Sequence, residues 1–130
     1  MKKTPLLNIA LSQLIASLGH GDMVVIGDAG LPVPPGVALI DLALTHGVPS
    51  FIDTLKTTLS EMQVEHHIVA DALSDQSPEL AAEITTFGLP DQRVVSHAEF
   101  KQLTRAARAI VRTGECTPYA NIILVAGVVF

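Results

Sequence analysis

The chain has 130 residues, of which 48% are apolar and only 16% charged, and its net charge is −5. That length supports one core and one domain, 1–130, and an acidic chain without a Lys/Arg cluster suits neither nucleic acid nor an anionic membrane. So few charges on so small a chain predict extensive burial between copies, hence a homo-oligomer.

In chain order, Met1-Lys2-Lys3 is basic, but Asn8, Ser12 and Gln13 interrupt the apolar stretch that a signal peptide needs. Leu11, Leu14, Ile15 and Leu18 follow the spacing of an amphipathic helix that Gly19 ends. Met23 to Gly27 reads as a buried strand, and residues 28–36 as a loop rich in proline and glycine. Val37 to Leu44 reads as a second strand, and Pro49 or Ser50 opens a helix carrying Phe51, Leu55, Leu59 and Met62. Val64 to Ala70 is a third strand. Ser77-Pro78 resembles an N-cap with proline at the first helical position, starting a helix to about Phe87. Arg93 to Val95 is a brief strand. Ser96 and Glu99 form a capping box at the head of a long helix with Phe100, Leu103, Ala107 and Ile110 inward. Asn121 to Val129 is a final apolar strand, too short for a membrane span even when extended to Phe130.

Strands alternating with helices predict an α/β fold in three layers, with a largely parallel sheet covered on both faces. One cysteine, Cys116, forms no intrachain disulfide and has no nearby base in sequence. A terminal aromatic, Phe130, sits more comfortably at a subunit junction than in a core. The expected location is the cytoplasm.

Several residues have the chemistry for a site. His20 lies in a Gly-His-Gly turn, where flanking glycines give close access to a ligand or serve as punctuation. Asp28 leaves the carboxyl end of a strand, where open α/β sheets form ligand crevices; a local turn bond to Gly30 is the competing role. His97, if Ser96 is the N-cap, stands at the positive end of a helix dipole, which favours the neutral ring. Tyr119 and Asn121 precede the last strand. They serve turn chemistry after Pro118, or they bind a polyhydroxylated ligand. His66 and His67 point to opposite faces of a strand and read as structural, and His46 as a solvated turn residue. Gly-Asp-Ala-Gly leads into prolines rather than a helix, which argues against a nucleotide site. His20, Asp28 and His97 also have the composition of a two-histidine, one-carboxylate metal site, though no i, i+3 or i, i+4 pair supports it.

LGHGD at 18–22, GDAGLPVP at 27–34, ALTHGVPSF at 43–51, EMQVE at 61–65 and TGECTPYANIILVAGV at 113–128 occur in this order. Together they resemble the ribose/fucose mutarotase family, and in particular its D-ribose pyranase branch, encoded with bacterial ribose transport systems. The fucose branch shares the histidine turn and the Tyr-x-Asn-Ile-Ile ending. The Asp-Ala-Gly-Leu-Pro loop and the run from Thr113 to Asn121 look more like the ribose branch. The resemblance implies an intramolecular isomerase that interconverts pyranose and furanose forms of D-ribose. It implies that His20 is the proton donor and that Asp28, His97 and Tyr119-Ala120-Asn121 bind the sugar. No metal and no organic cofactor is expected. It further implies a cytoplasmic homodecamer of two pentameric rings, with sites at subunit junctions. The alternatives are a fucose-type mutarotase and a non-catalytic sugar-binding accessory of ribose uptake.

Overall fold

The computed structural model describes residues 1–130. The Asn8 side chain accepts the Leu11 N–H and starts α1 (Ile9–Ser17), which turns Leu11 and Leu14 inward. There follow β1 (Met23–Gly27), β2 (Ala38–Asp41), α2 (Phe51–Leu59), β3 (Val64–Ala70), α3 (Asp71–Gln76) and α4 (Pro78–Thr85). The chain continues through β4 (Gln92–Val95), α5 (His97–Thr104), β5 (Ala109–Arg112) and β6 (Ile122–Ala126).

All six strands form one sheet in the order β2-β5-β1-β6-β3-β4. The pairs β2–β5, β1–β5 and β3–β4 are parallel, whereas β6 runs antiparallel to both β1 and β3. The sheet is therefore largely parallel, with one reversed strand near its middle. Helices cover both faces, giving the expected α/β layering. In β1, Val24 and Ile26 enter the larger core, beneath residues of α1, α2, α3 and α4; Val25 enters the smaller one with Phe100 of α5 and Leu31. That two-sided burial explains a strand with no polar residue, and each such side chain stabilises by about 1.5–3 kcal/mol.

Several boundaries differ from the sequence reading. The long helix expected to start at Ser96 and include Ile110 stops at Thr104, and Ile110 belongs to the unanticipated β5. Phe100, Leu103, Ala107 and Ile110 do have helical spacing. Ile110 instead pairs with Val25 and Leu39, and sheet pairing overrides that local preference. The second strand shrinks to Ala38–Asp41 and is largely exposed at the sheet edge, as is β4. The last strand ends at Ala126, leaving Val128, Val129 and Phe130 exposed. Helix α3 starts directly out of β3, and its N-cap, Ala70, has no side-chain bond to offer. Pro78 does open α4, but the Ser77 hydroxyl caps nothing and donates to the Pro118 carbonyl at 2.8 Å.

Candidate functional site

Five of the six strands point the same way, so their carboxyl ends share one edge of the sheet, and the reversed β6 begins there. Asp28 emerges from β1 at this edge and His97 follows β4, while Tyr119 and Asn121 lead into β6. These four side chains line one cleft of about 270 Å³. That volume lies just below the range for drug-sized ligands, which begins at about 300 Å³, and suits a small polar molecule.

Asp28 and Asn121 lock together. The Asn121 side-chain oxygen accepts the Asp28 backbone N–H at 2.9 Å, and its amide nitrogen donates to Asp28 Oδ2 at 3.0 Å. Asp28 Oδ1 accepts the Gly30 N–H at 2.9 Å, so the local turn role is real and coexists with a place in the cleft. Gly27 makes room for this arrangement, because a Cβ there would stand 2.6 Å from Leu31 Cδ2 and 3.1 Å from Asn121 Oδ1.

The His97 ring meets Tyr119 edge to face, with centroids 4.9 Å apart and an interplanar angle of 85°. Ser96 caps α5 by accepting the Glu99 N–H at 3.1 Å, which sets His97 at the first helical position as expected. Its Nδ1 is buried without a hydrogen-bond partner. Leaving a buried polar atom unpaired costs about 1–3 kcal/mol, which a ligand hydroxyl can recover. Tyr119 has φ of +61°, a left-handed conformation that costs a non-glycine residue about 1–2 kcal/mol. Backbone strain of that kind concentrates at functional sites. Ala120 is different. Its side chain lies in the larger core and its N–H donates to Thr117 O at 3.3 Å.

The loop carrying Tyr119 is tied down from several directions. The Thr113 hydroxyl and N–H both donate to Gly27 O, at 2.8 and 3.0 Å, and Ala29 N–H donates to Glu115 O at 2.9 Å. The Glu115 carboxylate accepts the Phe51 N–H at 3.0 Å, at the head of α2, and the Thr117 hydroxyl at 2.9 Å. Burial raises the Glu115 pKa, but the bonds from Phe51, Thr117 and Cys116 outweigh it and hold the carboxyl below its usual 4.5. Asp41 is likewise lowered, chiefly by its hydrogen bond from Arg112.

His20 is elsewhere. It precedes β1, whereas Asp28 follows it, and the five-residue strand between them spans about 16 Å at about 3.3 Å per residue. Its turn is closed by the Asp22 N–H donating to Gly19 O at 3.1 Å and the Gly19 N–H to Asp22 Oδ2 at 2.8 Å. Gly21, with φ of +85°, donates to Ala126 O and moors the turn on β6. The His20 Nε2 stands 3.1 Å from Glu65 Oε2. Within one chain, then, His20, Asp28 and His97 do not converge, either around a sugar or as a metal triad.

Lys101 also lines the cleft, and the sequence reading passed over it. A signal was available, since Lys101 lies four residues after His97 on α5 and therefore on the same helical face.

Residues 1–129 match the model of the RbsD / FucU transport protein family. The chain belongs to this family. A relative named D-ribose pyranase from Pseudomonas fluorescens (strain Pf0-1) is 66% identical over the full length of both chains. A solved structure of Bacillus subtilis RbsD complexed with D-ribose superposes with a TM-score of 0.96 at 49% identity, covering both chains completely. The fucose mutarotase from Streptococcus pneumoniae, in complex with L-fucose, gives 0.81 at 26% identity, again over all of both chains.

Proposed function

We propose that this chain is a D-ribose pyranase, a mutarotase that interconverts the pyranose and furanose forms of D-ribose by general acid–base catalysis. The observation that carries the reading is the end-to-end match to a relative of that name at 66% identity. The cleft supports it: a carboxylate, an imidazole, a phenol and an ammonium surround a space that suits a small polyhydroxylated ligand. Ribose is favoured over fucose by the closer likeness to the ribose-bound neighbour than to the fucose-bound one.

The two ring forms differ in which hydroxyl has added to C1. A base removes the proton of the anomeric hydroxyl as an acid protonates the ring oxygen, and the C1–ring oxygen bond breaks. The open aldehyde rotates, and the other hydroxyl adds to C1 by the reverse proton transfers. No electrons leave the sugar and no carbon–carbon bond breaks. His20 is the proton donor in this reading. Asp28, His97 and the segment Tyr119-Ala120-Asn121 bind the sugar, Ala120 through its backbone. Because His20 and Asp28 stand at opposite ends of β1, a site holding both takes them from two copies. The proposal therefore includes a homo-oligomer; the family resemblance further implies a decamer of paired pentameric rings in the cytoplasm.

Exchange NMR on equilibrated D-ribose tests the reading directly. Added protein accelerates interconversion between pyranose and furanose signals, and does so more for D-ribose than for L-fucose. His20→Ala loses about 10² to 10⁴ of that acceleration while its secondary structure and oligomer mass are unchanged. Binding of ribose without faster exchange would make the protein a sugar-binding accessory instead, and full activity in the variant would remove His20 from the mechanism.

A further inference from the structure

Strand β3 does not alternate regularly. Val64 and Val69 both face the larger core, yet they lie an odd number of residues apart, which strict alternation forbids. The register shows why. Val64 pairs with Ala126 and His66 with Val125, so two steps along β3 match one along β6. The extra residue is Glu65, and the irregularity is a β-bulge, a device that re-aims a side chain.

A second feature works on the same residue. Gly127 lies so close to β3 that a Cβ on it would stand 3.2 Å from Glu65 N and 3.3 Å from Glu65 Cβ. Its N–H donates to Gln63 O at 3.0 Å, which holds the strands together past the bulge. Bulge and glycine together deliver the Glu65 carboxylate to His20, 3.1 Å from Nε2. Both side chains are half exposed, at 60% and 49%, so the pair adds little to stability. A backbone built around so weak a stabilising contact serves orientation.

We infer that Glu65 is a positioning residue for His20, fixing the ring with Nε2 protonated and leaving Nδ1 as the nitrogen that exchanges protons with the sugar. A carboxylate has only acceptors to offer, so the neutral imidazole beside it carries its proton on Nε2. When the ring is charged, Nδ1 holds the proton that can be given away. After transfer, Nδ1 is a bare acceptor already aimed to take a proton back. The inference rests on the proposed role of His20 and adds the residue that sets its working face.

Two measurements on the full-length protein test it. Nitrogen-15 correlation spectra of the imidazole rings, with His20 assigned by loss of its signals in His20→Ala, show the proton on Nε2 at a pH where the ring is neutral. In Glu65→Ala that preference disappears, and kcat for ribose interconversion falls at least about tenfold with KM unchanged. Glu65→Gln, which keeps an acceptor oxygen, retains the Nε2 proton and recovers part of the lost rate. A His20 ring protonated on Nδ1 in the unaltered protein, or an unchanged tautomer and kcat in Glu65→Ala, would overturn the inference. The two readings fail separately. An active His20→Ala protein ends the role of His20, whereas an essential His20 beside a dispensable Glu65 ends only this assignment.

Discussion

Asn121 shows how a single side chain can be committed before any ligand arrives. Its oxygen accepts from the Asp28 backbone and its amide nitrogen donates to the Asp28 carboxylate, while the side chain itself is 3% exposed. Hydrogen bonds to a charged group contribute about 1.5–3 kcal/mol, and their loss leaves buried groups unpaired. Asn121→Ala should therefore lower stability by about 1–3 kcal/mol in denaturant titrations. It should also raise the KM for ribose about tenfold or more, because the freed Asp28 no longer faces the cleft in one orientation. A variant with normal ribose affinity would show that this lock serves the fold alone. The sequence places Asn121 at the mouth of the strand and leaves turn chemistry and ligand binding both open, without indicating Asp28 as its partner. Its partner lies 93 positions away, and no local pattern announces a bond of that range.

At the scale of elements, α2 is capped twice. Ser50 accepts the Asp53 N–H from within the segment, and Glu115 accepts the Phe51 N–H from the loop before β6. A carboxylate at a helix N-terminus also meets the positive end of the dipole. The folded Glu115 carboxyl titrates below its unfolded value of 4.5, so its stabilisation is complete above that value and is lost as pH falls through the folded one. Glu115→Gln should cost about 1–2 kcal/mol at neutral pH, with the difference from the unaltered protein shrinking as pH drops below 4.5. Urea unfolding at a series of pH values reads that convergence; a gap constant down to pH 3 would separate Glu115 from the acid sensitivity. The elements themselves were unevenly readable. Met23–Gly27 was evident because an apolar run bounded by turns leaves few alternatives, and Val64–Ala70 was placed correctly although Glu65, His66 and His67 interrupt its apolar residues. Strand β5 was hidden, since Ala106 to Arg112 has helix-forming alanines and arginines and no glycine or proline where α5 stops. The bulge at Glu65 was invisible for another reason. It is defined by what β6 does, and only the shared facing of Val64 and Val69 betrays it.

On the scale of the whole molecule, the low charge content pointed to assembly, and the resemblance named the sugar, but neither revealed where the halves of a site lie. In the proposed site, the antiparallel pair β1–β6 holds one half at each end. The end of β1 and the start of β6 carry Asp28 and Asn121, and the opposite ends carry the His20 turn and Gly127. If each working site draws His20 from one copy and Asp28 from another, two inactive variants can complement each other. His20→Ala and Asp28→Asn proteins, unfolded together and reassembled, should regain a measurable fraction of ribose exchange. Each variant alone should remain inactive, as should the two mixed without subunit exchange. Hybrids that stay inactive would require a different arrangement of these residues.

Under the proposed shared site, a strand pair with a donor at one tip and a receptor at the other would make every copy both plug and socket. Contacts of that head-to-tail kind propagate until they either close on themselves or run on as a filament. A closed ring would leave no half unmatched, so under that proposal the geometry that completes the chemistry is the same geometry that stops growth.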